Sequence, residues 1–441
     1  VARSRSRSKI HQVFEIQIDG LSHDGRGVGR REGKAVFVTG ALAGETVRAE
    51  QTGRNRHYDE ARTLEVIHAS PDRVEPRCPH FGTCAGCVLQ HLDQARQIEA
   101  KQGALLDNLK RIGHVEAGRT LPPLTDVAWG YRRKGRFSVR YVEKKGKVLV
   151  GFRETDPRYV ADLSICHTVV PEVGLRIQEI AALVDSLDGK RTLPQIEFIA
   201  GDDAVALVFR HLEPMSADDL GRLMDFAKTS GLAVFLQPGG VDTVHALWPE
   251  QVPLAFSIQG HGLTLAFRPL DFIQVNAGIN GKMIDSALEL LDPRPGDRVL
   301  DLFCGLGNFT LPLARRAGQV VGVEGDAGLV ARARDNAARN GLGNVQFHAA
   351  DLARDLSDEP WMRAGFDKLL LDPPRAGAAE VLAQLPLEGI HRIVYVSCHP
   401  ASLARDAGFL VRERGYTLKA VGAMDMFPQT AHVESIALFE K

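Results

Sequence analysis

Apolar and polar residues alternate in short runs from Val13 to about His68. The runs V-F-E-I-Q-I-D, K-A-V-F-V-T, E-T-V-R-A-E and R-T-L-E-V-I are separated by G-R-G-V-G-R and A-L-A-G. A period of two between glycine-rich turns predicts half-buried strands, and several in succession predict a small β-barrel of the OB type over residues 10–68. Arg26, Arg30, Arg31, Lys34, Arg54 and Arg56 then fall on its loops and outer faces. The period changes at Leu92–Gly113, where Leu105, Leu106 and Leu109 share one face of a predicted helix ended by its glycine. A basic hairpin follows from Tyr131, F-S-V-R-Y-V-E-K-K-G-K-V-L-V-G-F-R, and helices and hairpins alternate up to Arg268. This makes residues 69–268 a central α+β region. From residue 269 onward, short fully apolar runs alternate with helical stretches, as in a Rossmann-like open sheet. The fold class expected is therefore multidomain α/β.

Chemistry concentrates at the ends of those last runs. In R-V-L-D-L-F-C-G-L-G-N a buried strand ends at Asp301, and Gly305 and Gly307 let the backbone turn into a helix opened by Asn308 and Phe309. The next strand ends in Glu324, about 20 residues on, where doubly wound folds place an acid on ribose hydroxyls, and a third ends in Asp351. Thr310 stands where a dinucleotide fingerprint has its third glycine, and Asp301 would repel a diphosphate. A sulfonium cofactor, S-adenosyl-L-methionine, suits that turn better than a nicotinamide.

Asp372-Pro373-Pro374-Arg375 follows another strand, at the sheet edge where ligands bind. Arg375 occupies the place where enzymes that methylate exocyclic amines carry an aromatic residue, which disfavours such a methyltransferase. The next strand, R-I-V-Y-V, delivers Cys398 to the same crevice, where a thiolate is a strong nucleophile. Cys304, within the glycine turn, reads as packing only. Uracil C5 would need such a thiol: it is a poor nucleophile until a thiolate adds to C6, and the adduct then requires a base to remove the C5 proton. His432 and Glu434 stand before the final apolar strand, and Glu434 is the candidate base, with Asp372 holding the uracil edge or backing the site. The competing class is a non-catalytic RNA-binding factor on a methyltransferase fold.

A chain of 441 residues with 44% hydrophobic content suffices for several cores, and no apolar run is long enough to span a bilayer. Net charge is −1, so the basic residues clustered in V-A-R-S-R-S-R-S-K, the barrel and the hairpin predict a local RNA footprint. Residues 1–9 are expected to be a disordered basic tail rather than a presequence, and Tyr131, Phe137 and Tyr141 to offer base stacking. Cys78-x5-Cys84-x2-Cys87 places three thiols in one short loop, with Cys166 as the remaining candidate for a fourth ligand; zinc and an iron–sulfur cluster both accept four thiolates.

D-L-F-C-G-L-G-N-F-T, L-D-P-P-R-A-G, V-S-C-H-P, H-V-E-S and F-I-Q-V-N at Phe272–Asn276 together resemble the RNA uracil-C5 methyltransferase family over the last third of the chain. The N-terminal barrel resembles the TRAM domain, an RNA-binding module. The resemblance implies Cys398 as nucleophile, Glu434 as base, and Gln274, Phe303, Asn308, Glu324, Asp351 and Asp372 around cofactor and base. It implies a [4Fe-4S] cluster on Cys78, Cys84, Cys87 and Cys166 with a structural or RNA-docking role, and a helix at 92–113 packed on the catalytic domain, residues 269–441. Barrel, cluster and thiol together imply a flipped uridine of 23S rRNA as substrate, in the cytoplasm, with no obligate protein partner; a tRNA, or more than one rRNA uridine, is the alternative. His399 departs from the family, whose members often carry asparagine there.

Overall fold

A computed structural model describes residues 12–441, so the basic stretch at 1–9 lies outside the described residues. The described chain forms two compact units, residues up to Lys101 with Gln429–His432, and residues 102–428 with 433–441.

In the first unit, strands Val13–Leu21, Gly27–Arg31, Lys34–Thr39, Thr46–Arg54 and Tyr58–His68 close into a barrel. Val13–Leu21 pairs with both Gly27–Arg31 and Thr46–Arg54, which seals it. The alternation does what its period requires: Ile16, Ile18, Val36, Val38, Val47, Ala49 and Ala61 fill the interior. One inward carboxylate caps the barrel. Glu45, fully buried, accepts from the Leu42 and Ser70 amides and from the Arg73 guanidinium at 2.5 and 2.8 Å. Those bonds hold its carboxyl below the usual range even though burial alone would raise it. The outer charge is partly neutralised: Arg26 pairs with Asp24 and Glu60, and Lys34 with Asp59, whereas Arg30, Arg54 and Arg56 are exposed.

The second unit contains a six-stranded sheet ordered His245–Trp248, Ala233–Gln237, Val205–Arg210, Gln195–Ala200, Lys134–Val142 and Lys147–Gly151. The expected basic hairpin is present in it as the antiparallel pair Lys134–Val142 and Lys147–Gly151, and Gln195–Ala200 pairs antiparallel with Val205–Arg210. The aromatic residues of the basic hairpin differ from expectation. Phe137 is fully buried against Phe152 and Phe198, and Tyr131 is buried with its hydroxyl donating 2.9 Å to the Pro428 carbonyl. Neither ring can stack on a base: the strand turns Phe137 into the core, and Tyr131 is buried in the segment before it. Tyr141 is half-buried beneath Arg191 and Lys190.

The larger sheet of this unit holds seven strands of the C-terminal region: β1 (Arg298–Leu302), β2 (Gln319–Glu324), β3 (Val345–Ala349), β4 (Lys368–Leu371), β5 (Arg392–Ser397), β6 (Thr417–Met424) and β7 (Glu434–Glu440). Their order is β3-β2-β1-β4-β5-β7-β6, and Arg119–Thr120 adds a short parallel strand beside β6. β1 to β5 are parallel and β7 runs antiparallel to β5. The order reverses between β1 and β4, which opens a crevice above their carboxyl ends.

The helix expected over Leu92–Gly113 spans Gln94–Asn108 and continues as a π-helical turn, Leu109–Gly113. His114, at φ 52°, closes it instead of Gly113. Gly113 serves close approach: a Cβ there would lie 2.4 Å from the Ala404 carbonyl oxygen, on the helix Pro400–Arg412. That turn therefore packs closely on the helix Pro400–Arg412. No helix among the described residues is long and apolar enough to cross a membrane.

Candidate active site

The turn after β1 is wound tightly. Phe303, Gly305 and Gly307 all have positive φ, at 63°, 55° and 92°. For Phe303 this is a strained conformation of the kind that persists where surrounding structure fixes it, often at a ligand site. Gly307 is doubly required, since a Cβ there would lie 2.3 Å from Leu311 Cδ1. The Gly305 amide donates 3.1 Å to Glu324 Oε2 and the Asp326 amide 3.1 Å to Oε1, so the acid at the end of β2 braces the glycine turn. Asn308 exchanges two amide hydrogen bonds, 2.9 and 3.0 Å, with Asn280 of the helix Ala277–Leu291. Asp351 is exposed after β3 and pairs with Arg354.

Asp301 does not present its charge to the crevice, as its place in the motif suggested. It is fully buried, takes a 2.5 Å bond from the Thr310 hydroxyl, and its Oδ1 has no hydrogen-bond partner among the described residues. Burial pushes its carboxyl up to about 8. Cys304 is likewise buried, with its thiol pushed well up by burial, as fits a packing role.

The reactive groups converge across β4, β5 and β7. Ser397 lies opposite Ser435 in the antiparallel β5–β7 pair, whose Ser435 hydroxyl also donates 3.1 Å to the Ser397 carbonyl. The next positions along each strand, Cys398 and Glu434, therefore adjoin. Asp372 leaves the neighbouring strand β4, its amide still held by the Leu302 carbonyl at 3.4 Å. Gln274 Nε2 donates 3.4 Å to Asp372 Oδ2. Burial pushes the Cys398 thiol up to about 11, with Glu434 and Asp372 adding to the rise and Arg375 opposing it. Glu434, only 3% exposed, is raised well above the carboxylate range by burial and then by Asp372. Asp372 keeps a partial opening to solvent, yet desolvation by the site carries its carboxyl up to about 7. The crevice thus gathers one thiol and two carboxyls that resist being charged together, next to one arginine.

His399 caps the helix Pro400–Arg412. Its Nδ1 accepts from the Ser402 amide at 3.3 Å, and its carbonyl and amide bracket the Ser397 hydroxyl at 3.1 Å each. An asparagine side-chain oxygen would supply the same cap, so this departure preserves the backbone around Cys398. The D-P-P-R-A-G loop is anchored by Asp406, whose Oδ2 accepts from Tyr395 and from the Ala378 amide at 2.7 and 2.8 Å. Sequence reasoning missed Asn280 and Asp406, which reach the site through partners distant in sequence.

Cys78, Cys84 and Cys87 lie half-buried in a loop of the first unit, and Cys166 is buried in the second. The Gly86 amide donates 3.4 Å to Cys84 Sγ, and the Cys78 amide 3.0 Å to Gln90 Oε1. Among the described residues, no three His, Cys, Asp or Glu side chains are gathered as a group able to hold a metal.

The chain matches the family model described as tRNA (Uracil-5-)-methyltransferase over residues 131–441, and the TRAM domain model over residues 7–63. It is 67% identical to the 23S rRNA (uracil(1939)-C(5))-methyltransferase RlmD of Xanthomonas oryzae pv. oryzae, over 99% of this chain and the whole of that protein. It is 66% identical, with the same coverage, to the protein of the same name from Stenotrophomonas maltophilia. Among solved structures, the fold is shared with the Pyrococcus abyssi tRNA (uracil-54, C5)-methyltransferase in complex with S-adenosyl-L-homocysteine. The TM-score is 0.74 at 24% identity, covering 97% of this chain and all of the other.

Proposed function

Because this chain belongs to the tRNA (uracil-5-)-methyltransferase family, we propose that it transfers a methyl group to C5 of one uridine in 23S rRNA, the uridine named in its full-length relatives. The observation that carries this reading is the convergence of Cys398, Glu434 and Asp372 at the carboxyl ends of adjoining strands. The choice of rRNA over tRNA rests on relatives alike along the entire chain, barrel included.

S-adenosylmethionine supplies the methyl group when bound, and Gln274, Phe303, Asn308, Glu324, Asp351 and Asp372 are the residues assigned to hold it and the base. The strained turn at Phe303 and the braced pair Gly305–Glu324 fit such a ligand. Cys398 adds as thiolate to C6 of the flipped uracil, and the C5–C6 π pair moves onto C5 and O4. Once C5 has been methylated, Glu434 removes the C5 proton, the C5–C6 double bond re-forms and the thiolate leaves. Asp372 backs the thiol and keeps Gln274 at the ring edge. The barrel contributes exposed Arg30, Arg54 and Arg56 to phosphate contact. Cytoplasmic placement follows from the substrate.

The assay is methylation of a 23S rRNA fragment and of bulk tRNA with labelled cofactor, followed by nucleoside analysis. Expected is 5-methyluridine at a single rRNA position and none in tRNA. Label in an N-methylated base would end the uracil reading.

We further assign Cys78, Cys84, Cys87 and Cys166 to a [4Fe-4S] cluster. Its support is the donor set, four thiols with a backbone amide already directed at Cys84 Sγ, the kind of contact that favours a thiolate. Four protein thiolates would leave no iron open to substrate, so the group would serve a structural or RNA-docking part. Anaerobically purified protein should carry about four irons and a matching content of acid-labile sulfide. Cys84→Ser should lose both; a zinc content of one with no iron would reject the cluster.

A further inference from the structure

Gln274, which donates to Asp372 in the proposed active site, sits in the segment Leu270–Asn276, and that segment is clasped by three consecutive residues that lead into the strand Lys134–Val142. Arg132 bridges to Asn276. The Arg133 amide donates 2.9 Å to the Val275 carbonyl, and its Nε donates 2.7 Å to the Gln274 carbonyl. Lys134 Nζ donates 3.0 Å to the Leu270 carbonyl and also bonds the Asp271 carbonyl. The clasp is itself fixed, since the Ala200 amide holds the Arg133 carbonyl at 2.7 Å.

Arg133 is costly where it stands. Its residue is 5% exposed, its guanidinium lies over the Phe256 ring at 4.4 Å, and its Nη2 finds no acceptor among the described residues. A buried cation with an unsatisfied donor destabilises a fold unless something else retains it. Among the described residues, its side-chain hydrogen bond goes to the backbone of Gln274, the residue whose amide meets Asp372. Two residues on, Asn276 caps the helix Ala277–Leu291 by accepting from the Ile279 amide at 3.2 Å, and Asn280 of that helix holds Asn308. Displacing Gln274 would therefore be felt at both the thiol side and the glycine turn.

We propose that Arg133 is a positioning residue for methyl transfer: through the Gln274 carbonyl it fixes the reach of the Gln274 amide to Asp372. The inference rests on the functional reading above. A planar guanidinium with a fixed Nε direction suits this task, and a lysine point donor would hold the carbonyl only loosely.

The test is a double-mutant cycle of Arg133→Met and Gln274→Ala, read as kcat/KM for S-adenosylmethionine at saturating RNA, with thermal melting of each protein. Arg133→Met is expected to lower kcat/KM by about 10- to 100-fold, the scale of a misplacement near 1 Å. It should add little on the Gln274→Ala background, and Arg133→Lys should recover part of the loss. Losses that multiply across the cycle, or a wild-type rate in Arg133→Met, would overturn the proposal. Should Arg133→Met fail to fold, Arg133→Lys takes its place in the cycle. A crystal structure of the variant gives a readout independent of turnover: Gln274 Nε2 should have left hydrogen-bond reach of Asp372, and an unmoved amide would refute the idea. A product other than 5-methyluridine would reject the functional reading while leaving this geometric result to stand or fall alone.

Discussion

With a 23S rRNA fragment carrying 5-fluorouracil, the wild-type protein is expected to yield a protein–RNA adduct that survives denaturation, and Cys398→Ala none. Fluorine at C5 cannot depart as a proton, so the thioether to C6 persists once the methyl has been transferred. On ordinary RNA, Cys398→Ala should lose at least about 10⁴ in kcat, because no other group supplies the covalent step. The environment of the thiol sets the pH dependence. Burial first, then Glu434 and Asp372, push Cys398 up to about 11, so the free enzyme holds it protonated at neutral pH. The thiolate fraction rises tenfold per pH unit below that value. Adduct formation at subsaturating RNA, which reports on the free enzyme, should therefore keep climbing through pH 9. A plateau reached below pH 7.5 would mean that the carboxyls do not oppose the thiolate, and the arrangement of charges described for the crevice would be wrong. Arg375 acts in the opposite sense, so Arg375→Ala should move the profile further toward alkaline pH.

Features that depend on local backbone chemistry were legible in the sequence. Gly305 and Gly307 announce a turn only glycine makes cheaply, and Cys398 and Asp372 follow apolar runs that had to be buried strands. The barrel was legible for the same reason, its period of two mapping directly onto Ile16, Ile18, Val36 and Val38 inside. Phe137 was misread because an aromatic residue on an alternating strand reads alike whether its face meets RNA or the core. Asp301 was misread because burial of a carboxylate is decided by what packs over it, here Thr310 and the turn above. Arg133 and Asn280 were invisible for a related reason. An arginine in a basic hairpin looks like a phosphate contact, and its role appears only when a carbonyl some 140 residues away folds onto it.

Glu434→Gln separates the last chemical step from the first. The amide keeps the shape of the side chain but cannot take a proton from C5, so the thiol should still add and the methyl should still transfer. The methylated adduct then has no route to release, and unmodified RNA should become cross-linked to the protein, which in the wild type requires fluorine. Single-turnover methylation is expected to fall less than about tenfold, whereas multiple turnover falls by about 10²–10⁴, the usual worth of a positioned base. Glu434 is also raised well above the ordinary carboxylate range, by burial and then by Asp372. Its base form therefore becomes more abundant as pH rises, and wild-type turnover should increase with pH at this step as well as at thiol addition. Because the two groups titrate in one pocket, their apparent values belong to the cluster and not to either residue. The variant removes one of them, so its pH profile for adduct formation should begin at lower pH than that of the wild type, as a neutral amide no longer opposes the thiolate. If Glu434→Gln instead turned over normally, His432, the other titratable side chain just before β7, would become the candidate base. If it abolished methyl transfer without any adduct, Glu434 would be needed at thiol addition, and deprotonation of C5 would have to be reassigned.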